Sequence, residues 1–91
     1  MVEERLTQEQ LAARVDETEK LVTVGAQYKH YKGGLYTVLH VALLEATNEP
    51  CVVYRAEYGS HTIFIRPLDD WCAQIEVDGK AVPRFAKISA A

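Results

Sequence analysis

Only two cysteines, three prolines, one tryptophan and one methionine occur in these 91 residues. Cys51 and Cys72, 21 positions apart, are too few for a disulfide scaffold, so a packed core must hold the fold. The longest apolar run is Val41-Ala42-Leu43-Leu44, far short of the ~18 residues a membrane span needs. Ten Lys and Arg against 13 Asp and Glu leave a net charge of −3, which excludes the strongly basic classes. The opening residues, Met1 to Arg5, lack the basic start and apolar stretch of a secretion signal, so a reducing cytoplasm is the expected location. No CxxC, HxH or HExxH spacing occurs, and Lys32-Gly33-Gly34 precedes a strand pattern rather than a helix. No metal, cofactor or phosphate loop is therefore expected. What remains is 48% hydrophobic and 25% charged, the composition of one ordinary globular domain.

The acidic excess is confined to one end. Residues 1–24 hold six acids and three bases, whereas residues 25–91 hold seven of each. The first segment predicts an amphipathic helix and linker. Thr7-Gln8-Glu9-Gln10 fits a capping box, with Leu6 and Leu11 placed as a hydrophobic staple. Leu11, Val15 and Thr18 then line one face from Gln8 to about Lys20. That stripe is too narrow for a free-standing helix, and the helix is expected to lie across its own domain.

From Gly25 the period changes to two. Strands are expected at Ala26–Tyr31, Leu35–Leu44, Cys51–Tyr58 and Thr62–Arg66. Asn48-Glu49-Pro50 is read as a break and Leu68–Trp71 as a helical turn. Ile75 and Val77 lead into Asp78-Gly79, a hairpin signal, and Ala81–Phe85 is expected to return as one last strand. The expected fold is mainly β: a small SH3-like roll or partly open barrel of five to six strands over residues 25–91, preceded by one N-terminal helix. Leu35–Leu44 is apolar on both faces, so something must cover its outer row of Leu39, Val41 and Leu43. The helix is the first candidate and a homodimer contact the second.

The run Tyr28-Lys29-His30-Tyr31-Lys32-Gly33-Gly34-Leu35-Tyr36-Thr37-Val38 resembles the opening motif of a small bacterial family, Domain of Unknown Function 1653. Val52-Val53-Tyr54, Tyr58-Gly59, Ile65-Arg66-Pro67 and Val82-Pro83-Arg84-Phe85 follow in the family's order. The resemblance runs from Gly25 to about Ile88 and implies an SH3-like roll, but no activity. One departure stands out: where the family carries a His and a Glu after Ala42, this chain has Leu44 and Ala46. A shared site built on those two side chains would be lost here or served by a substitute such as Glu45.

Two constellations carry chemistry. Tyr28, His30, Tyr31, Lys32 and Tyr36 cluster around a glycine turn, with no acid between Gly25 and Leu44. Tyrosines beside bases offer stacking platforms and anion partners, although Tyr28, Tyr36 and Tyr54 also suit a core. Arg66-Pro67 and Pro83-Arg84 each hold a guanidinium beside a rigid proline, suited to an anion, to a bridge with Glu57, Asp69 or Asp70, or to stacking on Trp71 or Phe85. His40 reads as a core histidine, and both cysteines as small buried hydrophobes. The predicted function is a binding module whose face of Tyr28, His30, Tyr31, Lys32, Tyr58, Arg66 and Arg84 takes an anionic or aromatic ligand. RNA, single-stranded DNA and an acidic peptide are the examples. The alternatives are a metabolite pocket or enzyme using His30 or His61 with Arg66, and an oligomerisation domain.

Overall fold

The computed structural model describes residues 5–89, so Glu3 and Glu4 of the acidic segment lie outside the described residues. Helix α1 spans Gln8–Leu21. Its capping box is complete: the Gln10 amide donates to the Thr7 hydroxyl (3.1 Å), and the Thr7 amide donates to the Gln10 side chain (2.8 Å). Along the expected stripe Thr18 is buried and Leu11 and Val15 are half-buried. The helix hands its chain directly to the core, because the next residue, Val22, is fully buried. Arg14 Nη1 donates to the Asn48 carbonyl (3.0 Å), tying the helix to a turn of the sheet.

Strands β1 (Gln27–His30), β2 (Leu35–Leu44), β3 (Glu49–Ala56) and β4 (Ile63–Pro67) follow, then the short helix α2 (Leu68–Trp71). Strands β5 (Gln74–Val77), β6 (Lys80–Pro83) and β7 (Phe85–Ser89) complete the described chain. The main sheet is antiparallel in the order β4-β3-β2-β1-β7, and β5 and β6 form a separate hairpin. Among the described residues the five-stranded sheet does not close, so β4 and β7 are its edges. Mainly β with one N-terminal helix is thus the observed class, as an open sheet rather than a closed barrel.

Two boundaries differ from expectation for local reasons. The β2–β3 turn is complete by Asn48, which takes the left-handed conformation (φ 61°). Glu49 and Pro50 therefore belong to β3, with Pro50 opposite Leu43. The expected last strand is divided at Arg84. Its amide donates to the Ala73 carbonyl and its carbonyl accepts from the Tyr31 amide, both at 2.9 Å. The residue thus bonds to the hairpin side and to the main sheet at once, and β7 starts afresh beside β1. The Asp78-Gly79 turn forms as expected, both residues having positive φ (52° and 79°).

The main correction concerns β2. Val38 faces Tyr54, but the next partner of β3, Val53, faces His40. Leu39 is the extra residue of a β-bulge, and it reverses the alternation. Val41 pairs with buried Val52 and packs against the core, and Leu43 shares its face opposite Pro50. His40 is exposed instead of buried. Leu39, Val41 and Leu43 do not form one outer row. The strand is apolar on both nominal faces because its core-facing parity switches halfway along. Helix α1 packs against β2 and β3.

The core joins Val22, Val38 and Val52 to Tyr28, Tyr54, Trp71 and Phe85. Trp71 stacks on Phe85 at 3.8 Å between centroids and 7° between planes. Among the described residues no helix is long and apolar enough to cross a membrane.

Candidate anion-binding aromatic face

The site begins at the turn between β1 and β2. The Gly33 amide donates to the His30 carbonyl (2.7 Å) and the His30 amide to the Gly34 carbonyl (2.8 Å). Gly33 has φ +108°, which a side chain would resist. Gly34 is needed for space: an added Cβ would lie 3.1 Å from the Tyr58 ring and 3.2 Å from the Tyr36 ring. Those two tyrosines pack over the turn and share a hydrogen bond between their hydroxyls. Burial, then the Tyr58 hydroxyl, pushes the Tyr36 phenol up to about 12.

Core-facing positions of four strands extend the cluster. Tyr36 meets Tyr54 (5.3 Å), Tyr58 (5.6 Å) and Phe85 (5.7 Å) in edge-on contacts. Phe85 also receives the edge of His30 at 4.9 Å. The Arg66 guanidinium sits 5.5 Å from the centre of the Phe85 ring. Its Nε donates to the Tyr54 hydroxyl (3.3 Å) and its Nη1 to an Asp70 carboxylate oxygen (3.4 Å). Arg84 Nε donates to the backbone carbonyl of the same Asp70 (2.9 Å). Both guanidiniums are thus fastened around one residue. Arg66 Nη2 and both terminal nitrogens of Arg84 make no hydrogen bond among the described residues.

His30 records the resulting field. Burial lowers its pKa first, and Arg66, Arg84 and Lys32 lower it further. Its Nδ1 accepts from the Lys32 amide (3.2 Å), which places the proton of the neutral ring on Nε2. Four positive or protonatable groups therefore border the aromatic cluster, and among the described residues the acid that touches them is Asp70.

Of the residues singled out from sequence, His30, Lys32, Arg66 and Arg84 converge electrostatically. Tyr58 joins them through Tyr36, and Tyr31 through the His30 ring at 4.6 Å. Lys32 Nζ lies 5.8 Å from the Tyr31 ring centre. Tyr28 does not belong to this face. It is 6% exposed, packs edge-on against Trp71 (5.2 Å), and its hydroxyl accepts from the Thr23 amide (3.0 Å). Sequence reasoning names Tyr36 in the polar-aromatic cluster while favouring a core role for it, and names Asp70 and Phe85 as structural partners of the arginines, as Arg66 shows; what it missed is the part Gly34 plays beneath the two tyrosines. The shared face of Tyr36, Tyr54 and Arg66 was available from strand parity; the position of Phe85 was not, because the division at Arg84 is a tertiary event.

His61 is not brought to Arg66. The two lie beyond and within opposite ends of β4, and His61 Nδ1 is instead 3.1 Å from the Ala56 carbonyl and 3.6 Å from Glu57. Glu57 also receives Arg55 Nη2 (2.9 Å) and the Thr37 hydroxyl, which hold its carboxyl down to about 2. The thiols divide: Cys51 is buried, but Cys72 is exposed, contrary to expectation, and partial desolvation of its sulfur, then nearby Asp69, pushes the thiol up. A groove of about 340 Å³ is lined by His30, Tyr31, Val82 and Ile88, and a crevice of about 490 Å³ separates α1 from Pro50 and Leu68. Neither contains both His30 and Arg66. Leu44 and Ala46, the departures from the family motif, lie at the other end of β2 from Tyr36, outside the aromatic face.

A crystal structure of a protein belonging to DUF1653 from Bordetella bronchiseptica is 30% identical to this chain, with a TM-score of 0.66. The match covers 74% of this chain and 88% of that one. No curated protein matches. Residues 26–87 match the family described as "Protein of unknown function (DUF1653)", so the turn, the aromatic floor and both arginines all fall within the matched region. The chain belongs to the DUF1653 family.

Proposed function

We propose that this protein is a small recognition module of SH3-like type that binds an anionic ligand carrying a flat or apolar group. The ligand lies over half-buried Tyr36, between His30, Tyr31 and Lys32 on one side and Tyr58, Arg66 and Arg84 on the other. The supporting observation is the joint anchoring of Arg66 and Arg84 at Asp70, with terminal guanidinium nitrogens left over. Anchored guanidiniums lose little freedom on meeting a phosphate or carboxylate, so their hydrogen bonds are gained at low entropic cost. The tyrosine rings supply stacking area at similarly low cost. RNA, single-stranded DNA and acidic peptides share the required chemistry. The even balance of seven acids and seven bases over residues 25–91 favours local rather than blanket attraction.

An amide-shift titration against short RNA, DNA, nucleotides and acidic peptides tests the proposal. Shifts are expected at His30, Lys32, Tyr58, Arg66 and Arg84, with binding weakened in both Lys32→Ala and Arg84→Gln. Unchanged affinity in both variants would sink it. Acid–base catalysis by His30 with Arg66 is the weaker reading, because neither concavity is lined by both residues.

A further inference from the structure

Strand β4 has one paired edge and one free edge. It pairs with β3 from Ile63 opposite Arg55 to Pro67 opposite Cys51. Next to that ladder the Ala56 amide donates to the Thr62 carbonyl (2.9 Å). Antiparallel bonding alternates along a strand, so Phe64 and Arg66 spend their backbone groups on β3. The N–H and C=O of Ile63 and Ile65 then point away from the sheet. These four groups make no hydrogen bond to another element among the described residues. The side chains are open as well: Ile63 is 58% exposed, Phe64 43% and Ile65 59%. An apolar edge of this kind is normally blunted by charge, bulge or cover. Here the charge beside it, Arg66, turns to the same face as Phe64 and carries an unengaged Nη2.

We infer that β4 is the docking edge for an extended acidic peptide, which adds as a sixth strand and sends one carboxylate to Arg66. This rests on the anion-binding reading above and narrows its ligand to one class. An antiparallel strand bonded to Ile63 and Ile65 sets alternate side chains on the two faces. Those opposite Ile63 and Ile65 lie on the outer face and are apolar. Those opposite Phe64 and Arg66 lie on the aromatic face, the first apolar and the second acidic. The charge on the strand itself agrees with that choice, since Arg66 shares the face of Phe64 and keeps Nη2 unengaged. A nucleic acid would use the arginines but leave the backbone groups of Ile63 and Ile65 unpaired. A second copy of this chain, paired about Phe64, would satisfy that backbone but place Thr62 rather than an acid against Arg66.

The test is an amide-shift and hydrogen-exchange titration of the full chain with the capped peptide Glu-Val-Phe-Val-Thr. Expected are shifts and slowed exchange at the Ile63 and Ile65 amides. Affinity should fall at least roughly tenfold when both peptide valines are N-methylated, or when the glutamate becomes lysine. Ile65→Pro, which removes an outward N–H and no β3 bond, should weaken binding similarly; the N-methylated peptide makes the same point without altering the protein. Binding that is indifferent to N-methylation and shifts only His30, Tyr58 and Arg84 would overturn strand addition while leaving the anion-binding face standing. Oligonucleotide binding without peptide binding would do the same. Concentration-dependent shifts at Ile63 and Ile65 without peptide would assign the edge to a second copy and overturn the inference. No binding by either ligand class would remove both readings.

Discussion

Gly34 carries more of the site than its size suggests, because two tyrosine rings rest where its side chain would be. Gly34→Ala should separate Tyr36 from Tyr58 and destabilise the fold by about 1–3 kcal/mol through overpacking. With the hydroxyl pair broken, the Tyr36 phenol should titrate below its present value of about 12, measurable by NMR of labelled tyrosine. His30 makes a second prediction. Its folded pKa lies below the ordinary 6.5, so below that pH the unfolded chain binds the proton more readily than the folded one. Stability should therefore fall as the pH drops through 6.5, and His30→Gln should flatten that part of the profile in urea denaturation. By the same linkage, an anion bound beside His30 raises its pKa, and binding should strengthen from pH 7.5 to 5.5. Arg66 and Arg84 could be picked out from sequence because each adjoins a proline at a strand end. Tyr28 was misplaced because a tyrosine beside bases looks the same whether its hydroxyl meets a ligand or the Thr23 amide.

The elements were largely legible where a local signal exists. The Thr7–Gln10 box marks the start of α1, and Asp78-Gly79 marks the hairpin. Thr7→Ala should cost about 1 kcal/mol, seen as a lower urea midpoint with unchanged slope. The bulge at Leu39 had no such signal, since no glycine or proline accompanies it and its neighbours are uniformly apolar. Period-two reasoning therefore ran straight through it and turned Val41 and Leu43 to the wrong face. The bulge makes a distinctive prediction. Deleting Leu39 leaves Val38 opposite Tyr54 and Val41 opposite Val52, so both halves keep their registers. Deleting Ala42 instead turns Leu43 and Leu44 over relative to Pro50 and Glu49. The first variant should fold with the Val41 methyls still in the core, and the second should lose far more stability. Comparable losses, or a shifted β2–β3 register after deletion of Leu39, would contradict the assignment.

At the scale of the whole molecule, charge distribution matters more than the net −3. The described acids that meet basic side chains are spent locally: Glu57 on Arg55 and Asp70 on Arg66. Lys32 and the free ends of Arg66 and Arg84 remain as a compact positive rim around an aromatic floor. Binding of a short single strand through about three such contacts should show a salt slope near −2 on a log–log plot, shallower than that of a dedicated nucleic-acid protein. That rim could be approached from sequence only as two separate constellations. Its assembly depends on β7 returning beside β1 after Arg84, a pairing across more than fifty residues. The most direct test of recognition at this face is the amide and imidazole titration of wild type and Arg84→Gln with an acidic peptide and a short oligonucleotide. The predicted result is saturable shifts centred on His30, Lys32, Tyr58 and Arg66 with an upward move of the His30 pKa, both much reduced in the variant. Shifts centred on α1 or the β5–β6 hairpin, or an unmoved His30, would contradict it.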